Sequence, residues 1–270
     1  MKVFGKLAIL GLLVLGLVLP CYAENIVVAG STTVLPIAQK AAEVFMNNNP
    51  GSQISVRGGG SGVGIASIID GTCDIADASR PIKESELDNA IANGRMPKAN
   101  VIAMDGICVI VNPSNGINAL SKKQIKDIYT GKVSNWSQLG GGNAKIVVIS
   151  RDSSSGTFEA FGELVLDKEK VRSDALLQAS NQAVVTTVSS TPGAIGYVGL
   201  GYVSSSVKAL DVNGIKPSKE SVLSGKYPVG RPLFMYTNKE PRGLAKEFID
   251  FILSADGQRI VEEEGFVGLK

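Results

Sequence analysis

Arg151-Asp152-Ser153-Ser154-Ser155-Gly156-Thr157-Phe158 reads RDSSSGTF, with the apolar run Lys145–Ser150 before it and FEAFGELVL after it. Serine and threonine compete with the backbone for hydrogen bonds and are poor in helix interiors but good at helix starts. The stretch therefore predicts a strand, a hydroxyl-rich turn and a helix. Arg57–Gly62, RGGGSG, repeats the spacing of arginine, three residues, serine and glycine, between strand Gln53–Val56 and helix Val63–Ile69. A third turn, Gly30-Ser31-Thr32-Thr33, separates strand Ile26–Ala29 from a helix that carries Pro36 in its first turn. That helix stops at Asn47-Asn48-Asn49-Pro50-Gly51.

Short apolar runs alternating with amphipathic segments predict an α/β fold with mostly parallel sheets flanked by helices. Further strands are read at Asp74–Ser79, Ile107–Val111, Gly193–Val198 and Leu233–Tyr236, and helices at Ser121–Tyr129, Lys246–Leu253 and Ala255–Glu262. Val184–Val188 fits either a short helix or a strand. Because strand–glycine turn–helix units occur in both halves, two lobes are expected rather than one sheet. Lobe one takes residues 24–111 and 233–270, and lobe two takes 112–232.

Lys2 and Lys6, the apolar run Leu7–Leu19 and the end Cys21-Tyr22-Ala23 have the form of a secretory signal, residues 1–23. The run is short for a membrane span. Lipidation at Cys21, which would leave the protein tethered, fits poorly after Pro20. Losing this segment lowers the 27 basic residues by two, level with the 25 acidic ones. A neutral chain has no general field for nucleic acid or anionic membrane, so an anion must be held by local geometry. The two remaining cysteines, Cys73 and Cys108, sit in apolar runs and could be paired or free. The chain has no histidine, which removes Ser-His-Asp and Cys-His catalysis and histidine metal sites. Val63 breaks a nucleophile elbow at Ser61, and Ser205 with Lys208 lacks companion motifs. A non-enzyme without cofactor or metal is expected.

The first turn of a helix has backbone N–H groups without intrahelical partners and a partial positive charge. An oxyanion set there receives amide and hydroxyl donors, and glycine permits close approach. An arginine four residues upstream can fold its donor fork over the same anion. Any one such turn is ordinary; three of them, at the carboxyl edges of parallel strands and facing across two lobes, make an anion clamp. No turn ends in Gly-Lys-Ser/Thr, which argues against a nucleoside triphosphate. Few aromatics adjoin the turns, leaving a sugar or flat ring without a stacking surface. Phosphate, sulfate or a related tetrahedral anion remains.

The stretches GSTTVLP from Gly30, RGGGSGVG from Arg57, DIADASRPIK from Asp74, TGKVSNWSQLGG from Thr130, RDSSSGTF from Arg151 and GAIGYVG from Gly193 together resemble the periplasmic phosphate-binding proteins of phosphate ABC transporters. The resemblance runs in order along the chain after residue 23. It implies a type II periplasmic-binding fold with hinged lobes, phosphate held in the cleft, and delivery to a membrane permease by a monomeric receptor. By that match Thr32 and Thr33, with Ser31 beside them, Ser61, and Arg151, Ser155, Gly156 and Thr157 contact phosphate. The family's proton-accepting carboxylate after the third strand is Ser79 here, followed by Arg80, which leaves sulfate open as a ligand. Asp77, two residues earlier, is the candidate replacement acceptor. Arg57 is read as a structural ion pair, Asp152 as a holder of Arg151, and Trp136 as packing. A sensor docking on a membrane kinase is the alternative to a permease partner.

Overall fold

The computed structural model describes residues 24–269; the expected export segment lies outside them. The chain opens as β1 (Asn25–Gly30), α1 (Leu35–Asn48), β2 (Gln53–Gly58), α2 (Ser61–Asp70), β3 (Ile75–Ala78) and α3 (Glu84–Ala92). The 15-residue β4 (Pro97–Val111) follows. Next come β5 (Ala119–Leu120), α4 (Lys122–Tyr129), β6 (Val147–Arg151), α5 (Gly156–Leu164), β7 (Leu176–Gln178), α6 (Asn181–Ser190), β8 (Ala194–Gly199), β9 (Lys208–Ala209), β10 (Asp211–Val212) and α7 (Lys219–Leu223). β11 (Gly230–Asn238), α8 (Gly243–Leu253) and α9 (Ala255–Glu263) complete the described chain.

The strands run in the order β2-β1-β3-β11-β4-β8-β6-β7. β1 is parallel to β2 and β3, and β6 is parallel to β7 and β8. β4 and β11 are the antiparallel centre. β4 changes partner along its length: Pro97–Gly106 pairs with β11, and Ile107–Val111 with β8. The apolar cores divide at the same place. Ile26, Ile37, Phe45, Ile102, Leu233 and Phe248 pack in one half; Ile107, Tyr129, Phe161, Tyr197 and Val229 pack in the other. Two lobes are thus built on a sheet whose long strand is common to both.

Local chemistry explains the elements that carry the site. α1 buries Ile37, Ala38, Ala41, Ala42 and Phe45, a stripe with helical spacing. α2 starts after Gly60, whose φ of 99° only glycine adopts cheaply, and ends at Gly71 in the left-handed region. A Cβ on Gly60 would stand 2.5 Å from the Ser154 carbonyl oxygen in the other lobe. Ser155 caps α5 by accepting from the Phe158 amide at 3.2 Å. Pro232 is tolerated inside β11 because pairing with β3 begins only at Phe234, where the register with β4 also shifts. Val184–Val188 lies inside a helix, α6, started by the cap of Ser180 on Ala183. Cys73 and Cys108 are both free and buried, and in different cores.

Candidate functional site

The three turns meet. Gly30, Gly58 and Arg151 end β1, β2 and β6, so their turns gather at one edge of the sheet. The Gly62 amide of α2 donates to the Ser154 carbonyl oxygen at 2.9 Å, and Ser154 Oγ donates to the Gly59 carbonyl oxygen at 3.0 Å. Thr33 and Thr157, from opposite lobes, have hydroxyls 3.0 Å apart. A Cβ on Gly156 would fall 2.2 Å from Ser61 Oγ and 2.9 Å from Ser79 Oγ. Only a glycine permits lobes this close.

At the centre lies Arg151, 1% exposed. Its Nε donates to the Gln178 carbonyl oxygen (2.9 Å), and its Nη2 to the Ala179 carbonyl oxygen (3.1 Å) and Thr32 Oγ1 (3.3 Å). Nη1 is buried without a hydrogen-bond partner, and no carboxylate is within ion-pair distance among the described residues. Burial pushes its guanidinium below the usual arginine range, with Asp152 pulling the other way. Asp152 does not grip it: Oδ1 accepts from the Ser154 amide and shares the single Ser154 hydroxyl proton with the Gly59 carbonyl oxygen, holding the turn. Around Arg151 stand Thr32, Thr33, Ser61, Ser79 and Thr157, each 6% exposed or less. Ser61 Oγ accepts from the Ser79 amide (3.0 Å) and pairs with the Ser79 hydroxyl (3.3 Å). Ser31 and Ser155 brace from below, their hydroxyls accepting from the Thr33 and Phe158 amides. The Gly156 and Thr157 amides, first in α5, have no intrahelical acceptor.

Two of the expected contact residues are placed differently from the rest. Arg80 does not face this cluster with free donors. Its guanidinium binds Glu86 through both Nη atoms (2.8 Å each) and the Pro81 carbonyl, and its Nε lies against Glu159 of the other lobe. Lys83 also reaches Glu159, at 2.9 Å. Arg80 is a strap between lobes, its charge already balanced. Asp77 is 1% exposed, but neither carboxylate oxygen has any hydrogen-bond partner, so it touches none of the site hydroxyls. Burial alone pushes its carboxyl well above the usual range. Outside the site, Arg57 makes no ion pair among the described residues and donates to the Thr72 carbonyl oxygen. Trp136 packs in lobe two, its Nε1 on the Gly193 carbonyl oxygen.

Three residues of the cluster were not foreseen. Arg231, on β11, is 4% exposed and faces its cross-strand partner Asp105, itself 0% exposed. Arg231 Nε and Nη2 hold Asp105 Oδ2 at 3.0 and 2.8 Å. Nη1 reaches the Ser79 carbonyl oxygen, and Nη2 also reaches Thr33 and Thr157 Oγ1. Burial pushes both partners toward their neutral forms, and each charge pulls the other back. Asn181, the first residue of α6 and fully buried, donates to Thr32 and Thr33. With Arg231 balanced by Asp105, the cluster keeps one uncompensated positive charge, on Arg151.

Comparison with known proteins matches a domain model described as the PBP superfamily domain over residues 20–256. The phosphate-binding protein PstS of Bacillus subtilis is 36% identical over 248 residues, covering 90% of this chain and 80% of its own. The chain belongs to this family of binding proteins. The PstS of Borreliella burgdorferi is 35% identical, covering 92% of this chain and 91% of its own. A Clostridium perfringens structure, described as a putative phosphate ABC transporter substrate-binding protein with bound phosphate, superposes with a TM-score of 0.85 at 37% identity. It covers 92% of this chain and 100% of that one. The family's members are binding proteins rather than enzymes, and the two-lobe fold is theirs. The cleft residues described above lie between those lobes.

Proposed function

We propose that this protein captures inorganic phosphate between its lobes and delivers it to an ABC permease. One observation carries the reading: Arg151 is buried without a carboxylate, with one nitrogen unpartnered, beside hydroxyls from both lobes and free amides of a helix start. A charge so placed costs several kcal/mol unless an anion completes it, so its retention points to an anionic ligand. A tetrahedral oxyanion suits donors arriving from several directions, and the named ligand of the relatives agrees.

Arg151, Thr32, Ser61, Ser79, Thr157 and the Gly156 amide are the contacts we assign, with Thr33 joining the threonine network of the two lobes and Ser31 and Ser155 holding the turns. The lobes divide within β4 near Gly106 and rejoin near Gly230, where strand and core partners change. Residues 1–23 direct export, and the receptor acts as a monomer outside the cytoplasm. No described helix is long and apolar enough to cross a membrane.

Sulfate is the competing ligand, because no site carboxylate stands ready to accept a phosphate proton. Calorimetric titration with phosphate and sulfate from pH 5 to 8 tests the choice. Phosphate is expected to bind more tightly throughout; a sulfate preference would overturn the assignment.

A further inference from the structure

Asn181 and Arg231 do more than fill the floor of the cleft. The Gly199 amide donates to Asn181 Oδ1 at 3.1 Å. A backbone N–H can only donate, so the oxygen of the Asn181 amide is fixed toward Gly199 and its NH2 toward the threonines. The two amide protons go to Thr32 Oγ1 and Thr33 Oγ1, each at 3.1 Å. Thr32 also accepts from Arg151 Nη2 at 3.3 Å. Both of its lone pairs are then used, and its single proton is left to give.

Arg231 repeats this logic across the cleft. One Nη2 proton holds Asp105; the other is shared by Thr33 (3.3 Å) and Thr157 (3.0 Å). Thr33, accepting from Asn181 and Arg231, gives its proton to Thr157 at 3.0 Å. Thr157 has then accepted twice, and its proton too is left to give. Of the hydroxyls assigned as ligand contacts, the Ser61–Ser79 pair alone keeps capacity to accept.

We propose that Asn181, anchored by Gly199, and Arg231, anchored by Asp105, are positioning residues that lock Thr32 and Thr157 as hydrogen-bond donors to the anion. Oxygens of the ligand that face them must be unprotonated, and the proton of a hydrogen phosphate is turned to Ser61 and Ser79. This rests on the phosphate reading and deepens it into a rule for the ligand's protonation state.

The test changes Asn181 and reads phosphate affinity by calorimetry at pH 5 and pH 8, always against the wild type. The ionisable neighbours of the network are Arg151 on β6, Arg231 on β11, Asp105 on β4, and Tyr197 and Tyr202 on and after β8. All remain in every variant. Asn181→Asp replaces a donor by an acceptor and draws the threonine protons away from the ligand. It is expected to weaken binding roughly 100-fold at pH 8 and to recover roughly 10-fold or more at pH 5, relative to wild type. Asn181→Ala frees both threonines to accept; a loss of about 10-fold at pH 8 and a smaller loss at pH 5 are expected. Should the Asp variant not fold, the Ala variant carries the same comparison. Equal losses at both pH values in the folded variants, or wild-type affinity in Asn181→Asp, would overturn the proposal. A wild type that binds no phosphate removes the underlying reading instead, and its own titration distinguishes that outcome.

Discussion

Arg151→Met separates what the central cation does for binding from what it does for the fold. Methionine keeps the length of the buried stem without charge or donors. Three hydrogen bonds from this charged donor disappear, to Gln178, Ala179 and Thr32, two of them longer than 3 Å and so at roughly 1.5 kcal/mol each, the low end for a charged group. Against this, the fold no longer buries a guanidinium without a counter-charge, whose effective penalty is several kcal/mol. The two nearly cancel, so melting in phosphate-free buffer should shift by no more than a few degrees in either direction. Binding has no such compensation. Losing two charge-assisted hydrogen bonds to a buried anion, one for each Nη1 proton, at roughly 1.5–3 kcal/mol each, removes about 3–6 kcal/mol. That weakens phosphate binding roughly 10²–10⁴-fold. Calorimetry and differential scanning calorimetry on one preparation read both quantities. Affinity within about tenfold of wild type would refute the clamp, since no other uncompensated cation lies among the described cleft residues.

Gly156→Ala puts a methyl 2.2 Å from Ser61 Oγ and 2.8 Å from Ser61 Cβ. The clash exists only with the lobes together, so phosphate affinity should fall roughly 5- to 150-fold through about 1–3 kcal/mol of overpacking, with little change in ligand-free melting. Unchanged affinity would mean that binding does not require this approach. Asp77→Asn tests a buried acid whose folded pKa is raised by desolvation. Below the unfolded value of about 3.9 both states hold the proton, and the group costs no stability. As pH rises from there, the unfolded chain releases its proton first and wild-type stability falls until the folded pKa is passed. The Asn variant should therefore melt higher than wild type at pH 7, with the difference closing toward pH 4. A lower melting temperature at pH 7 would show that the carboxylate has a partner.

The turns were legible in sequence because helix starts have a local chemistry. Ser155 caps, Gly156 lets the other lobe approach, and Arg151 ends a strand four residues before the cap, all within one short stretch. The Asp105–Arg231 pair was not legible, since 126 positions separate its members. Its one local trace was a lone acid inside VIAMDGICVIV and a lone base opening RPLFMYT. Asn181 reads like any polar residue after a serine cap; only the Gly199 amide shows which way it faces. Arg80 follows Ser79 in the chain, which draws it toward the site in a sequence reading, whereas its partners Glu86 and Glu159 come from two helices and leave no local trace. The first half of β4 escaped notice because Lys98, Ala99 and Val101 are exposed, which blurs the apolar run that betrays the second half.

A crystal structure of the protein saturated with phosphate tests the clamp most directly. The anion should lie between the lobes on Arg151 Nη1, the Thr32 and Thr157 hydroxyls, the Ser61–Ser79 pair and the Gly156 amide. An anion bound outside that cluster, or reached by donors of one lobe alone, would contradict the account.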